Sequence, residues 1–269
     1  MRGIWKRLLA GMLAAVCAGA LFGCGNGRQP SQGATEDLPV LRIGSDEYPP
    51  YVYIGEDGDF AGIDVELARE ACRRMGFRAE FVMINWSERD EALQSGRVDC
   101  LWGSFSMDGR EDRYRWAGPY MSSRQVVAVR EDSDICSLAD LADKRIAVQA
   151  TTQADGLFSS GNDPRIPQIR QLYCLFIMDD VFAALRKGYV DAIAGHETAL
   201  VEKMQSVGGD FRILDETLLQ TKLGVAFAKD SGDLPVERLT QVLDEMRQDG
   251  FTAGVLVRFG SDPARAGGV

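Results

Sequence analysis

Histidine is almost missing from this chain: His196 is the only one among 269 residues. The six cysteines never stand at C-x-x-C spacing. With one imidazole and no paired thiolates, neither a zinc centre nor any other metal site is expected. Basic runs are absent after the N-terminus, and the formal net charge is −10, so nucleic acid is excluded as a partner. No apolar run is long enough for a spanning helix, which needs ~20 residues. The nearest, "LLAGMLAAVCAGALFG", falls short. What remains is 45% apolar and 26% charged, the composition of a packed globular body of one large or two medium domains.

The apolar run has a different use. It follows "MRGIWKR", which carries Arg2, Lys6 and Arg7, and it stops at "LFGC". Basic, then apolar, then a small residue is the pattern of a secretory signal, here residues 1–23. A small residue followed by Cys resembles the bacterial lipoprotein box, with Cys24 bearing the lipid. Phe22 is bulkier than that box usually carries, and an ordinary signal with an incidental cysteine is the alternative. "GNGRQPSQGATEDLP" has no hydrophobic period and reads as a flexible tether over residues 24–39. The expected place is outside the cytoplasmic membrane, anchored through Cys24. Cys72, Cys100, Cys136 and Cys174 remain, as buried thiols or as pairs; the sequence leaves both open.

From Val40 onward, short apolar strands alternate with amphipathic helices, which implies parallel pairing and an α/β fold. "GIDVELAREACRRMGF" places Val65, Ala68, Cys72 and Met75 on one helical face and ends at Gly76. In "SERDEALQSG", Ser87 and Asp90 resemble a capping box and Gly96 is the stop. "FRILDE" and "KLGVAFAK" read as two further strands, and the residues after Gly260 as a frayed tail. One phrase occurs twice. "ALQSGRVDCLWGS" ends at Ser104 and "ALRKGYVDAIAGH" ends at His196. The repeat suggests two lobes on one plan. Open α/β sheets bind ligands beyond the carboxyl ends of their strands, and Gly103-Ser104 and Gly195-His196 are such ends. Ser104 and His196 are therefore expected to face one cleft from opposite sides.

In order along the chain stand "IGSDEYPPYVY", "GDFAGIDVELA", "EALQSGRVD", "SMDGREDRYRWAGPYM", "SLADLADKRIAVQATT", "ALRKGYVDAIAG" and "QDGFTAGVLVRFG". Together they resemble the polar amino acid class of bacterial solute-binding proteins, the capturing subunits of ABC importers, from about Val40 to Gly260. The resemblance implies a two-lobe periplasmic-binding-protein fold of type II. Each lobe is then a mainly parallel sheet flanked by helices, and two crossing hinge strands join them near Val126–Arg130 and Lys222–Ala226. Lobe 1 would hold residues 40–127 and 224–262 and lobe 2 residues 128–223, with residues 263–269 as a disordered tail.

The resemblance also assigns roles. Arg110 stands where the family grips the ligand carboxylate, and its planar fork suits a bidentate pair. Counting back from it places two further contacts at Gly103 and Phe105; a one-residue slip of the loop moves them to Ser104 and Ser106. Thr151 and Thr152 begin a helix whose free amides would receive the same carboxylate from the other lobe. Trp86 with Tyr48 or Tyr51 forms the aromatic clamp. Asp46 either lines the cleft or caps its own turn. At His196 the family often has an Asp that pairs with the ligand ammonium. Neutral imidazole brings no charge, so Glu197 or Asp46 takes over, or the ligand differs. The implied function is a monomeric lipoprotein that captures an amino acid or similar zwitterion by hinge closure and delivers it to a permease, without a cofactor. An enzyme resembling cyclohexadienyl dehydratase and an extracytoplasmic sensor module are the alternatives.

Overall fold

The structure, a computed structural model, describes residues 38–267. The expected signal peptide, the expected lipid site at Cys24 and most of the expected tether lie outside the described residues.

The chain opens with β1 (Val40–Ser45), a small hairpin of β2 (Tyr53–Ile54) and β3 (Phe60–Ala61), and α1 (Ile63–Met75). β4 (Arg78–Met83), α2 (Arg89–Gln94) and β5 (Cys100–Leu101) follow. A long strand, β6 (Arg115–Arg130), leads into β7 (Arg145–Gln149), α3 (Gln153–Ser160) and β8 (Gln171–Leu175). Next come α4 (Met178–Arg186), β9 (Ala192–His196) and α5 (Glu197–Val207). The second long strand, β10 (Phe211–Phe227), returns toward α6 (Val236–Gln248), α7 (Phe251–Arg258) and a closing 3-10 turn at Pro263–Gly267.

Eight strands form one sheet in the order β4-β1-β5-β10-β6-β9-β7-β8. β1 is parallel to β4 and β5, and β7 is parallel to β8 and β9. The twin phrases occupy matching places, α2 into β5 and α4 into β9. Their Val-Asp aspartates do the same work. Asp99 accepts from the Arg42 amide at 2.7 Å and from its Nε and Nη2; Asp191 does so for Arg145, whose amide is at 2.8 Å. Each pair ties the central strand of one half to the strand beside it.

β6 and β10 run antiparallel through both halves. The pattern predicts two strands where β10 is one, because its pairing with β6 continues from Phe211 to Phe227 through register shifts at Ile213/Thr217 and Thr217/Leu219. Gln125–Ala128 already pair with β9, and Ala226 pairs with β5. The stretch in which the two long strands pair only with each other is therefore Ser122–Arg124 against Gln220–Lys222. That is N-terminal to the expected crossing on β6.

Two local readings are corrected. Asn85, not Ser87, caps the turn at Trp86–Glu88, accepting from the Ser87 amide at 3.1 Å. Asp90 instead accepts from Arg113 at 3.0 Å and from the Tyr114 hydroxyl. The tail does not fray over residues 263–267. Ala266 is buried, Ser122 Oγ donates to the Arg265 carbonyl at 3.2 Å, and the Arg265 guanidinium binds Glu197 and, at 2.7 Å, Thr198. A charged residue that finds a half-buried acid holds a turn that composition alone would release.

Candidate functional site

The carboxyl ends of β1, β5, β7 and β9 converge, as parallel α/β topology requires of a ligand site. Asp46, Tyr48, Trp86, Gly103, Ser104, Phe105, Ser106 and Arg110 come from the first half, and Thr151, Thr152 and His196 from the second. All line one pocket. Gln149 and Gln153 line it too, and the sequence reading missed both. Their signal was position: Gln149 is the last residue of β7, as His196 is of β9.

Gly103 is a close-approach residue. A Cβ there would lie 2.1 Å from Ser45 Oγ. Ser104 follows with φ 50, and its amide donates to the buried Asp64 carboxylate at 2.6 Å. Thr151, across the cleft, has φ 61, and its amide donates to Asp155 at 2.7 Å. Left-handed backbone is costly for non-glycine residues, above all β-branched ones. Here an aspartate holds each such residue. The same bond corrects one expectation, since Asp155 has already taken the Thr151 amide offered to a ligand carboxylate. Thr152 caps α3 as its sequence suggests, accepting from the Asp155 amide at 3.4 Å.

Trp86 and Phe105 meet edge to face at 4.9 Å between centroids, with Tyr114 and Trp116 behind Phe105 at 5.3 Å and 5.2 Å. The Arg110 guanidinium lies 5.3 Å from the Phe105 centroid and donates to Ser106 O at 3.2 Å and to Gln153 Oε1 at 2.6 Å. Tyr48 reaches the pocket, whereas Tyr51 is fully buried behind it. Ser106 Oγ lies 3.5 Å from His196 Nε2, and Gly103, Ser104, Phe105 and Ser106 all line the pocket.

His196 is 5% exposed, with Tyr48 and Tyr51 edge-on to its ring. The Gln125 side-chain amide lies 3.0 Å from Nε2 and Ser123 Oγ lies 3.0 Å from Nδ1, so each ring nitrogen has a partner within the protein. Glu197, expected beside it in the cleft, is elsewhere. Arg124 and Arg265 both bind its carboxylate, which therefore stays well below its ordinary range. Its charge holds the fold together and is not offered to the pocket.

The family model for bacterial extracellular solute-binding proteins, family 3, matches residues 41–261. The chain belongs to that family. A probable amino-acid-binding protein, YxeM of Bacillus subtilis (strain 168), is 27% identical over 251 residues, covering 91% of this chain and 90% of its own. The L-cystine-binding protein TcyA of the same organism is 28% identical over 274 residues, covering 97% of this chain and 99% of its own. The crystal structure of Tv2483 bound to L-arginine matches with a TM-score of 0.75 at 26% identity, covering 83% of this chain and 91% of that one. The two Bacillus subtilis relatives are named as binding proteins. Among the described residues no helix is long and apolar enough to cross a membrane.

The electrostatics of this solute-binding protein follow from burial. Burial, with help from Arg110 and Arg265, pushes the His196 imidazole down to about 3, so it is neutral near pH 7. Burial pushes Asp46 up to about 7 against the hydrogen bond from Gln149, which reaches it across the cleft at 3.1 Å. Asp64 is also pushed up to about 7 by burial, against donors from Ser104 and Tyr120.

Asp64 yields a test. Folded, it keeps its proton up to about 7, while its ordinary value is 3.8. Between those values the unfolded chain binds fewer protons, so this group's contribution falls as pH rises. The stability gap between the native protein and Asp64→Asn should therefore shift against the native protein from pH 4 to 7, by at most about 1.4 kcal/mol per unit. His196 acts oppositely, losing stability as pH falls from 6.5 toward 3, but it cancels in the comparison. Denaturant titrations of both proteins across that range measure the gap. A gap independent of pH would show that Asp64 is ionised throughout.

Proposed function

We infer that this chain captures an amino acid outside the cytoplasmic membrane and passes it to the permease of an ABC importer. One observation carries the reading: Arg110 enters a cleft between two halves of a sheet with only neutral oxygens as partners. A guanidinium so placed suits a carboxylate. The ligands named for relatives agree, among them L-cystine and L-arginine. Asp46 is the carboxylate left for the ligand ammonium, since Glu197 is engaged elsewhere. Tyr48, Trp86 and Phe105 supply apolar walls, and Ser104, Ser106, Thr151, Thr152 and His196 the polar contacts.

The lobes divide where β6 and β10 pair only with each other, and closure bends them there. Three side-chain bonds support closure by joining the halves: Arg110 to Gln153, Gln149 to Asp46, and Arg89 to Thr151. The mature protein is a monomer held at the membrane by lipid on Cys24.

A thermal-shift panel of the twenty amino acids with cystine, ornithine and citrulline tests the reading. A ligand at a hundredfold excess over its Kd stabilises the native state by about 2.7 kcal/mol. At least one member should raise the unfolding midpoint clearly. Silence from all of them would point to a solute of another class.

A further inference from the structure

A second arginine stands beside Arg110. Arg89, on the first turn of α2, is only 7% exposed. Its guanidinium lies 5.4 Å from the Trp86 centroid and 5.7 Å from the Phe105 centroid, against the same ring that Arg110 covers at 5.3 Å. Its Nη1 donates to Trp86 O at 2.9 Å and to Thr151 Oγ1 at 3.1 Å, and Thr151 lines the pocket. Its Nε is buried without any partner. Among the described residues, every hydrogen-bond partner of both guanidiniums is a neutral oxygen.

That arrangement is costly without a counter-anion. A buried cation needs an anion, and two cations near one ring repel each other. The repulsion registers on Arg110, whose guanidinium is pushed down by burial first and by Arg89 next. Asp46 is the single carboxylate lining the pocket. A simple zwitterion would satisfy Arg110 and Asp46 and leave Arg89 unanswered. A ligand with one more carboxylate answers all three charges.

We propose that Arg89 forms a second anion subsite beside Arg110, and that the captured solute is an amino acid with an acidic side chain. The α-carboxylate meets Arg110, the ammonium meets Asp46, and the side-chain carboxylate meets Arg89 between the Trp86 and Thr151 walls. This rests on the amino-acid reading above and narrows it.

Titration calorimetry of the purified protein with L-glutamate, L-aspartate, L-glutamine, L-asparagine and L-arginine tests it. Each acid has nearly the shape of its amide and differs by one charge. At least one acid should bind about tenfold tighter than its amide and than arginine, the usual gain from a charge-assisted bond over a neutral one. In Arg89→Met, which keeps the bulk without the charge, that ratio should collapse toward one. In Arg89→Lys part of it should survive. Amides or arginine binding as well as the acids would overturn the subsite while leaving amino acid capture standing. An acid preference that persists in Arg89→Met would overturn the role of Arg89. Binding of none of the five would overturn the subsite, and the thermal-shift panel then decides whether amino acid capture falls with it.

Discussion

Gly62→Ala is expected to cost about 4 kcal/mol or more of stability and to lower the thermal midpoint by roughly 10 °C. Gly62 immediately precedes α1 with φ 124. A Cβ there would lie 2.2 Å from Tyr51 O and 2.8 Å from Pro50 O. Those carbonyls cannot retreat, because they accept from the Ile63 and Asp64 amides at 2.9 Å and 3.0 Å and so start the helix. Relieving the clash means giving up the first turn of α1. That turn carries Asp64, which holds the Ser104 amide at the pocket. Ligand affinity should therefore fall with stability. Gly76→Ala is the control. Gly76 has φ 75 with nothing within 4 Å of its would-be Cβ, so only the left-handed backbone is penalised, at about 1 kcal/mol. Equal losses in the two variants, read by thermal and urea unfolding, would mean that the close approach at Gly62 does not exist.

Much of this arrangement is legible in the sequence. Gly76 ends its helix, and the twin phrases fall on equivalent elements, because both signals are local: a residue that tolerates positive φ, and a period repeated along the chain. The pocket was legible for the same reason. Asp46, Ser104 and His196 stand at or just beyond the carboxyl ends of β1, β5 and β9, and parallel topology gathers such ends. What the sequence hid depends on partners far along the chain. In "SERDEALQSG", Arg89 reads as one charge among several on a surface helix, and only packing against Trp86 and Phe105 buries it. Glu197 sits beside His196 in sequence and so resembles a cleft acid. Arg124 and Arg265, on β6 and in the closing turn, turn it away. Gln149 and Gln153 are uncharged, and nothing in composition marks an amide that will bridge two lobes.

That distinction between local and distant partners also separates binding from folding at Arg110. Arg110→Ala should weaken ligand binding about 100-fold or more, because removing one partner of a buried charge pair costs about 2–5 kcal/mol. The ligand-free protein should lose little stability, and its midpoint should hold or rise. Arg110 has no acid to lose, only Ser106 O and Gln153 Oε1. Burial and Arg89 both disfavour its charge, so removing it relieves repulsion as well as desolvation. Stability and function thus pull apart at this position, as expected where a site holds a charge ready for its ligand. Arg110→Lys should recover only a minor share of the affinity, since a compact ammonium cannot present a planar fork to a carboxylate. Calorimetry with the strongest ligand and thermal unfolding without ligand read the two effects separately. Unchanged affinity in Arg110→Ala would move the carboxylate site elsewhere. A large drop in ligand-free stability would make Arg110 a structural cation and remove the charge balance on which the role of Arg89 depends.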